Sequence, residues 1–280
     1  MPGTIDANQK ALWRSWLVER SGDPYGHAGF DATGWEATTW VLHYIFENPK
    51  SKTKLTHDEV QREAIKRGLV EPMIIGDVDL LEGATLVGYS ADARAPGAGW
   101  VRLRWHDLAR RSSISFDDQP VPPCFRWFPY RSWPANLLTP VEGSLDRECL
   151  RALTRQLASF APDATATRCV AHYSPLANGY DFDDVWMEEV LLGEVEQLVD
   201  TVGQSTITPS NLWPIDGAWM LYTDSDLWAT KVSGPQELIN MLRSNPELEC
   251  IDWPSDPASA SNAAASPAKH FRLWRRQRKK

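Results

Sequence analysis

The sequence predicts an α+β protein: N-terminal helices with a β-hairpin, a small C-terminal antiparallel sheet with helices on one face, and a disordered basic tail. Three observations predict it. Apolar residues recur at helical spacing up to Gly68 and alternate strictly after the Pro96–Gly99 turn. The run Leu212–Gly234 holds two short apolar segments joined by Asp224-Ser225-Asp226, the pattern of a hairpin. Beyond Trp253 the chain becomes mainly Ala, Ser and Pro, too poor in large apolar groups to offset chain entropy.

The elements follow in order. Leu12, Trp13, Trp16 and Leu17 make one face of a helix from Asp6 to Arg20, stopped by Gly22 and Pro24. Thr33-Gly34-Trp35-Glu36 reads as a capping box opening a second helix, with Trp35, Thr39, Leu42 and Phe46 on one stripe, Trp40 and Tyr44 widening it, and Pro49 beyond its end. Thr56-His57-Asp58-Glu59 repeats the signal, and Gly68 supplies the left-handed stop of a third helix. Ala84–Val87 and Trp100–Trp105 read as the two strands of a hairpin, the second directing Val101, Leu103 and Trp105 inward and Trp100, Arg102 and Arg104 outward. An arginine and aromatic face can stack nucleic-acid bases, but on a half-exposed strand it reads first as a solvated face.

Asp117–Pro140 carries six prolines and no sustained period, which marks irregular chain and the expected domain boundary. Its aromatics, Phe125, Trp127, Phe128, Tyr130 and Trp133, suit packing across the seam. Ser144 then caps a helix over Leu145–Phe160, Arg168–Ser174 is a strand, and Val185–Val199 is a helix that Gly193 interrupts. Ala218–Thr223 and Leu227–Val232 are the hairpin strands. Gly234, Pro235 and Glu237 open a helix to Arg243, and Leu248–Trp253 closes as a strand. The division expected is residues 1–133, helices and hairpin; 134–254, an α+β module; and 255–280, linker and tail.

Composition narrows the function classes. Hydrophobic residues at 42% suffice for a real core, and most of the 14 tryptophans belong in it. The last twelve residues hold seven cations, leaving 22 cations against 37 acids, a net charge of −15, on residues 1–268. Such a body repels phosphate backbones and suits a basic partner. In the tail, Lys269, Arg272, Trp274, Arg275, Arg276, Arg278, Lys279 and Lys280 suit an anionic membrane surface or a nucleic acid, or the acidic body itself. Cys124, Cys149, Cys169 and Cys250 form no C-x-x-C pair and read as buried, reduced thiols. With no leader-like start and no run of eighteen apolar residues, a soluble, cytoplasmic protein without a transmembrane segment is expected.

The densest cluster of chemistry-bearing groups is Leu212–Gly234. Trp213, Asp216, Trp219, Tyr222, Asp224, Asp226, Trp228 and Lys231 are the expected partner-binding residues. An alternative makes Asp216, Asp224 and Asp226, with His172, a metal or acid/base site of a hydrolase. Against it, short acids favour turns because they bond their own backbone. Lys231 could be a nucleophile, or could pair with Asp224 or Asp226 across the hairpin. No histidine motif, nucleophile elbow, P-loop or dinucleotide glycine triplet is present, so no catalytic residue, metal or cofactor is assigned.

The block from Trp213 to Gly234, followed by P-Q-E-L-I-N-M-L and L-E-C-I, resembles a segment near the C-terminus of uncharacterised bacterial proteins. The resemblance covers about forty residues, Trp213 to Trp253. It implies a bacterial interaction module of immunity type, and brings no catalytic residues with it.

Overall fold

Eight antiparallel strands form the central sheet of the computed structural model, which describes residues 3–69, 74–75, 78–79, 98–116, 118–119, 121–128, 132–139, 142–175, 186–201 and 207–253. In chain order the elements are β1 (Gly3–Thr4), α1 (Ala7–Ser21), β2 (Ala37–Leu42), β3 (Ile45–Glu47), α2 (His57–Lys66), β4 (Ile74–Ile75), β5 (Val78–Asp79), β6 (Val101–Leu103), α3 (Trp105–Ser112) and β7 (Leu137–Leu138). The chain continues with α4 (Arg147–Phe160), β8 (Arg168–Tyr173), β9 (Trp186–Leu191), α5 (Val195–Thr201), β10 (Asn211–Pro214), β11 (Met220–Thr223), β12 (Ala229–Gly234), α6 (Gln236–Ser244) and β13 (Cys250–Ile251). The large sheet runs β1-β9-β8-β10-β11-β12-β2-β13, and β6-β3-β7 form a smaller one. The α+β class is therefore as expected, although the sheet is larger than the sequence suggested.

Both faces of the large sheet are covered. On one, Ala171, Leu212, Leu221 and Val232 meet Leu153 and Leu157 of α4, Leu198 of α5 and Leu238 and Leu242 of α6. On the other, Val170, Met187, Trp213 and Met220 meet Leu17 of α1 and Phe30, while Trp40, Leu42 and Ala229 meet Trp105, Trp127, Phe128 and Trp133. Helices thus pack on both faces, where one was expected.

That double coverage explains the main departures from expectation. The second N-terminal helix is instead β2 and β3. Every residue from Thr39 to Phe46 is buried, so the alternation that marks a half-exposed strand is erased and a helical period fits equally well. The β-branched run Ala-Thr-Thr-Trp-Val-Leu favours the strand. β2 lies between β12 and β13, so the sheet takes strands from both sides of the boundary expected near residue 133. Within that region Cys124, Trp127, Phe128 and Trp133 join the aromatic cluster, and Trp228 N donates to the Pro123 carbonyl at 2.7 Å.

Val185–Val199 divides into β9, which pairs with β8, and α5, with a short 3-10 turn over Leu192–Glu194 between them. The expected strand Trp100–Trp105 ends at Leu103 because the buried Glu249 carboxylate accepts from the amides of Trp105 and His106, both at 2.9 Å, and so caps α3 from a distant part of the chain. Val101, expected inside, is exposed. Arg102 lies over the Tyr44 ring at 3.2 Å and donates to the Glu247 carbonyl at 2.7 Å. Its expected partner strand Ala84–Val87 and the tail residues Lys269–Lys280 lie outside the described residues.

Local caps shift by a residue or two. Asp146, not Ser144, caps α4 by accepting from Cys149 N at 2.8 Å, while Ser144 Oγ accepts from Thr208 N. Pro235 stands at the cap of α6, where the Glu36 carboxylate accepts from Gln236 N at 3.1 Å. The first helix and the capping box of α2 are as expected. No described helix is long and apolar enough to cross a membrane.

Candidate functional site

The hairpin of β11 and β12 forms, with β8, β10 and β2, one row of directly opposed residues: His172, Asn211, Tyr222, Lys231 and Trp40. Opposed residues project from the same face of a sheet, so the row is continuous. The segment between α1 and β2 crosses it. Asn211 receives the Phe30 amide on Oδ1 at 2.9 Å and donates Nδ2 to the Phe30 carbonyl at 2.9 Å, which clamps that segment by both of its main-chain groups. Gly29, at φ +100, sits where a Cβ would lie 3.1 Å from the Tyr222 ring, so the crossing needs glycine.

Each polar member of the row is consumed inside the fold. His172 Nδ1 lies 3.2 Å from Asn211 Oδ1, and burial pulls its pKa down to about 4, so the imidazole is neutral. Tyr222 donates to Asp224 Oδ2 at 2.8 Å, and burial holds its phenol protonated. Lys231 does not pair with Asp224 or Asp226. Its Nζ donates at 2.7 Å to Asp31, and its side chain is only 6% exposed against 47% for Asp31. The ion pair therefore joins a buried cation to the rim of the protein.

The aspartates behave as turn formers. Asp216 Oδ1 accepts from Ala218 N at 3.0 Å, and Asp224 Oδ1 from Asp226 N at 2.8 Å. Asp216 precedes β11 and Asp224 and Asp226 follow it, so they stand at opposite ends of that strand. Among the described residues no group of three or more His, Cys, Asp or Glu is placed to hold a metal ion.

Of the eight expected contact residues, Trp213, Trp219, Trp228 and Lys231 are buried, and Tyr222 and Asp224 are half-buried. Only Asp216 and Asp226 are exposed, and Asp226 pairs with Arg126 at 3.4 Å. The three tryptophans of the contact surface expected from the sequence lie in the core, each indole at 0–1% exposure. These tryptophans face inward because the hairpin lies at the centre of a sheet covered on both sides.

Behind the Asp224–Asp226 turn lies Glu142, whose Oε1 accepts from Phe125 N at 3.3 Å. Burial, with the nearby Asp226 and Asp224 adding to it, pushes its pKa up to about 8. The folded protein thus keeps a proton that an unfolded carboxyl, ionising near 4.5, has lost, and stability falls as pH rises from 4.5 to 8. His43 and His172 act oppositely. Held neutral by burial, with pKa values near 3 and 4, they subtract stability as pH falls below 6.5. Glu142→Gln keeps the acceptor for Phe125 and removes the ionisation. It is expected to raise stability at pH 8.5 by on the order of 2 kcal/mol and to change it little at pH 4. Urea midpoints at the two pH values check this; equal shifts at both would contradict it.

The sequence reading placed Trp13, Trp16 and Trp35 on core faces. They are half-buried, and they stand around Trp213 in an aromatic corner beside the exposed Asp216. Trp16 and Trp35 meet at 85° with centroids 6.1 Å apart, and the Arg20 guanidinium carbon lies 4.9 Å and 4.7 Å from the two rings. Trp35 is fixed by its Nε1, which donates to the Gly217 carbonyl at 3.0 Å, and Trp16 by an edge contact with Trp13 and a tilted one with Trp213. Gly34, at φ +102, leaves room for Arg20, since a Cβ there would lie 3.1 Å from Nη1. One signal was legible in advance: Arg20 follows Trp16 by four residues, the spacing that brings two side chains together on a helix. Nothing local could place Trp35 or Asp31.

No protein-family model, no curated protein and no solved structure matches this chain.

Proposed function

We propose that this protein is a non-enzymatic module that binds a basic protein, using the outer face of α1 and the corner of Trp16 and Trp35 with the exposed acids Asp216 and Glu36 beside it. One observation carries the reading: this half-exposed aromatic corner already holds a guanidinium. A net charge of −15 on residues 1–268 adds a long-range field that would speed encounter with a cationic partner. An immunity or toxin-neutralising role in a bacterium is the specific form of this proposal, drawn from the resemblance of the Trp213–Trp253 block.

The test is titration of the purified chain with the product of the gene adjacent to its own, followed calorimetrically. Saturable binding that weakens with salt is expected. The pair Asp216→Lys and Glu36→Lys should weaken it about tenfold or more, as like charges replace complementary ones. No binding, or binding indifferent to both salt and charge reversal, would overturn the proposal.

A further inference from the structure

We infer that the corner of Trp16 and Trp35 is a recognition site for a guanidinium group, that of an arginine side chain on the basic partner, and that Arg20 occupies it as an internal stand-in. The inference deepens the reading above and rests on it for the source of the cation.

The two indole walls are held by contacts that do not involve the Arg20 side chain. Trp35 is held by its bond to the Gly217 carbonyl, and Trp16 by its contacts with Trp13 and Trp213. Trp213 beneath is fully buried, and its indole N-H has no hydrogen-bond partner. Arg20, by contrast, sits in the last turn of α1, and its side chain donates from Nη1 to the Thr33 carbonyl at 3.2 Å. What ties α1 to the following segment at this point is the main chain: the Arg20 carbonyl accepts from both Thr33 N and Thr33 Oγ1 at 3.0 Å. Those bonds persist if the guanidinium swings out. The corner would then present two indole faces at right angles, with the carbonyl of Thr33 as an acceptor.

Indole faces attract cations through the ring quadrupole, and a guanidinium, planar and weakly hydrated, stacks on them better than a compact ammonium. Asp216 and Glu36, both exposed and each adjacent in sequence to a residue of the corner, add negative potential at its rim. While Arg20 is in place, a second guanidinium must displace it, and the apparent affinity falls by the fraction of time the corner is empty.

The experiment is titration of the full chain and of Arg20→Ala with N-acetyl-arginine amide, read from the tryptophan indole N-H resonances. The variant should bind saturably, at least about tenfold more tightly than the unsubstituted chain, because the internal competitor is gone. Binding should move the Trp16 and Trp35 resonances and disappear when Trp35→Leu is added, and N-acetyl-lysine amide should bind several-fold more weakly. An Arg20→Ala protein that takes up arginine no better than its parent, or does so equally well without Trp35, overturns the inference. If Arg20→Ala does not fold, Arg20→Gln replaces it with the same outcomes required, and failure of both to fold assigns Arg20 a structural role and overturns it too. Uptake of arginine by the variant together with no partner binding in the calorimeter would retain this site and reject the basic-protein reading.

Discussion

Trp228→Ala is expected to destabilise the protein by about 3–5 kcal/mol, the range for emptying a large aromatic site in a packed core. Trp228 is fully buried, stacks on Trp105 at 5.9 Å, and meets Trp133 edge to face at 5.3 Å and Phe128 at 6.3 Å. Its removal would strip contacts from three rings at once, and neighbours in a cluster this rigid can close only part of the void. The cost is one of packing rather than hydrogen bonding, because the Trp228 indole N-H finds no acceptor, whereas that of Trp105 donates to the His43 carbonyl at 2.8 Å. Trp228→Phe should therefore cost less than Trp105→Phe, by about 1 kcal/mol, since only the second leaves a buried carbonyl unpaired. Denaturant unfolding of the three variants decides it. Equal costs for the two phenylalanine variants would mean that volume alone governs the cluster.

Asn211→Ala is the second large effect, expected at roughly 3 kcal/mol or more. The Asn211 side chain satisfies both main-chain groups of Phe30, donates to the Leu221 carbonyl at 3.3 Å, and meets His172 Nδ1. Alanine would leave the Phe30 amide buried without its partner and the Phe30 carbonyl with the Ala32 amide alone, at 2.9 Å, and a desolvated polar group carries its full penalty when a bond is removed from one side only. The damage should concentrate in the segment that Asn211 clamps. Amide hydrogen exchange at Phe30 should accelerate far more than exchange in α4, which packs on the opposite face. Uniform acceleration across the protein would show that the clamp is not local.

The two variants illustrate which features could be read from the residues. Asp216 and Asp224 bond the amide two residues on, a habit of short acids in turns that needs no knowledge of the rest of the fold. The capping box of α2 and the α6 segment that follows Pro235 are local in the same way. Lys231 is different. Its partner was sought across the hairpin, but Asp31 lies 200 residues away in sequence, and a crossing segment brings it there. Glu249 capping α3 and Asn211 clamping Phe30 are further bonds between parts of the chain that no spacing connects.

By itself, then, the sequence determined the α+β class, the positions of the capped helices α1, α2 and α6, the β11–β12 hairpin and the turn-forming role of its aspartates, because these depend on interactions within a few residues. Tertiary structure alone decided that Ala37–Leu42 and Ile45–Glu47 are strands and not one helix, that the hairpin tryptophans belong to the core, and that Arg20 lies over both Trp16 and Trp35. The physical reason is burial on both faces. A strand covered from both sides has no polar side to betray its period, and its exposed surface passes to the elements laid over it. The hairpin supplies the centre of the sheet, and α1, which packs Leu17 against Trp213 and Met220, is one of the elements that cover it.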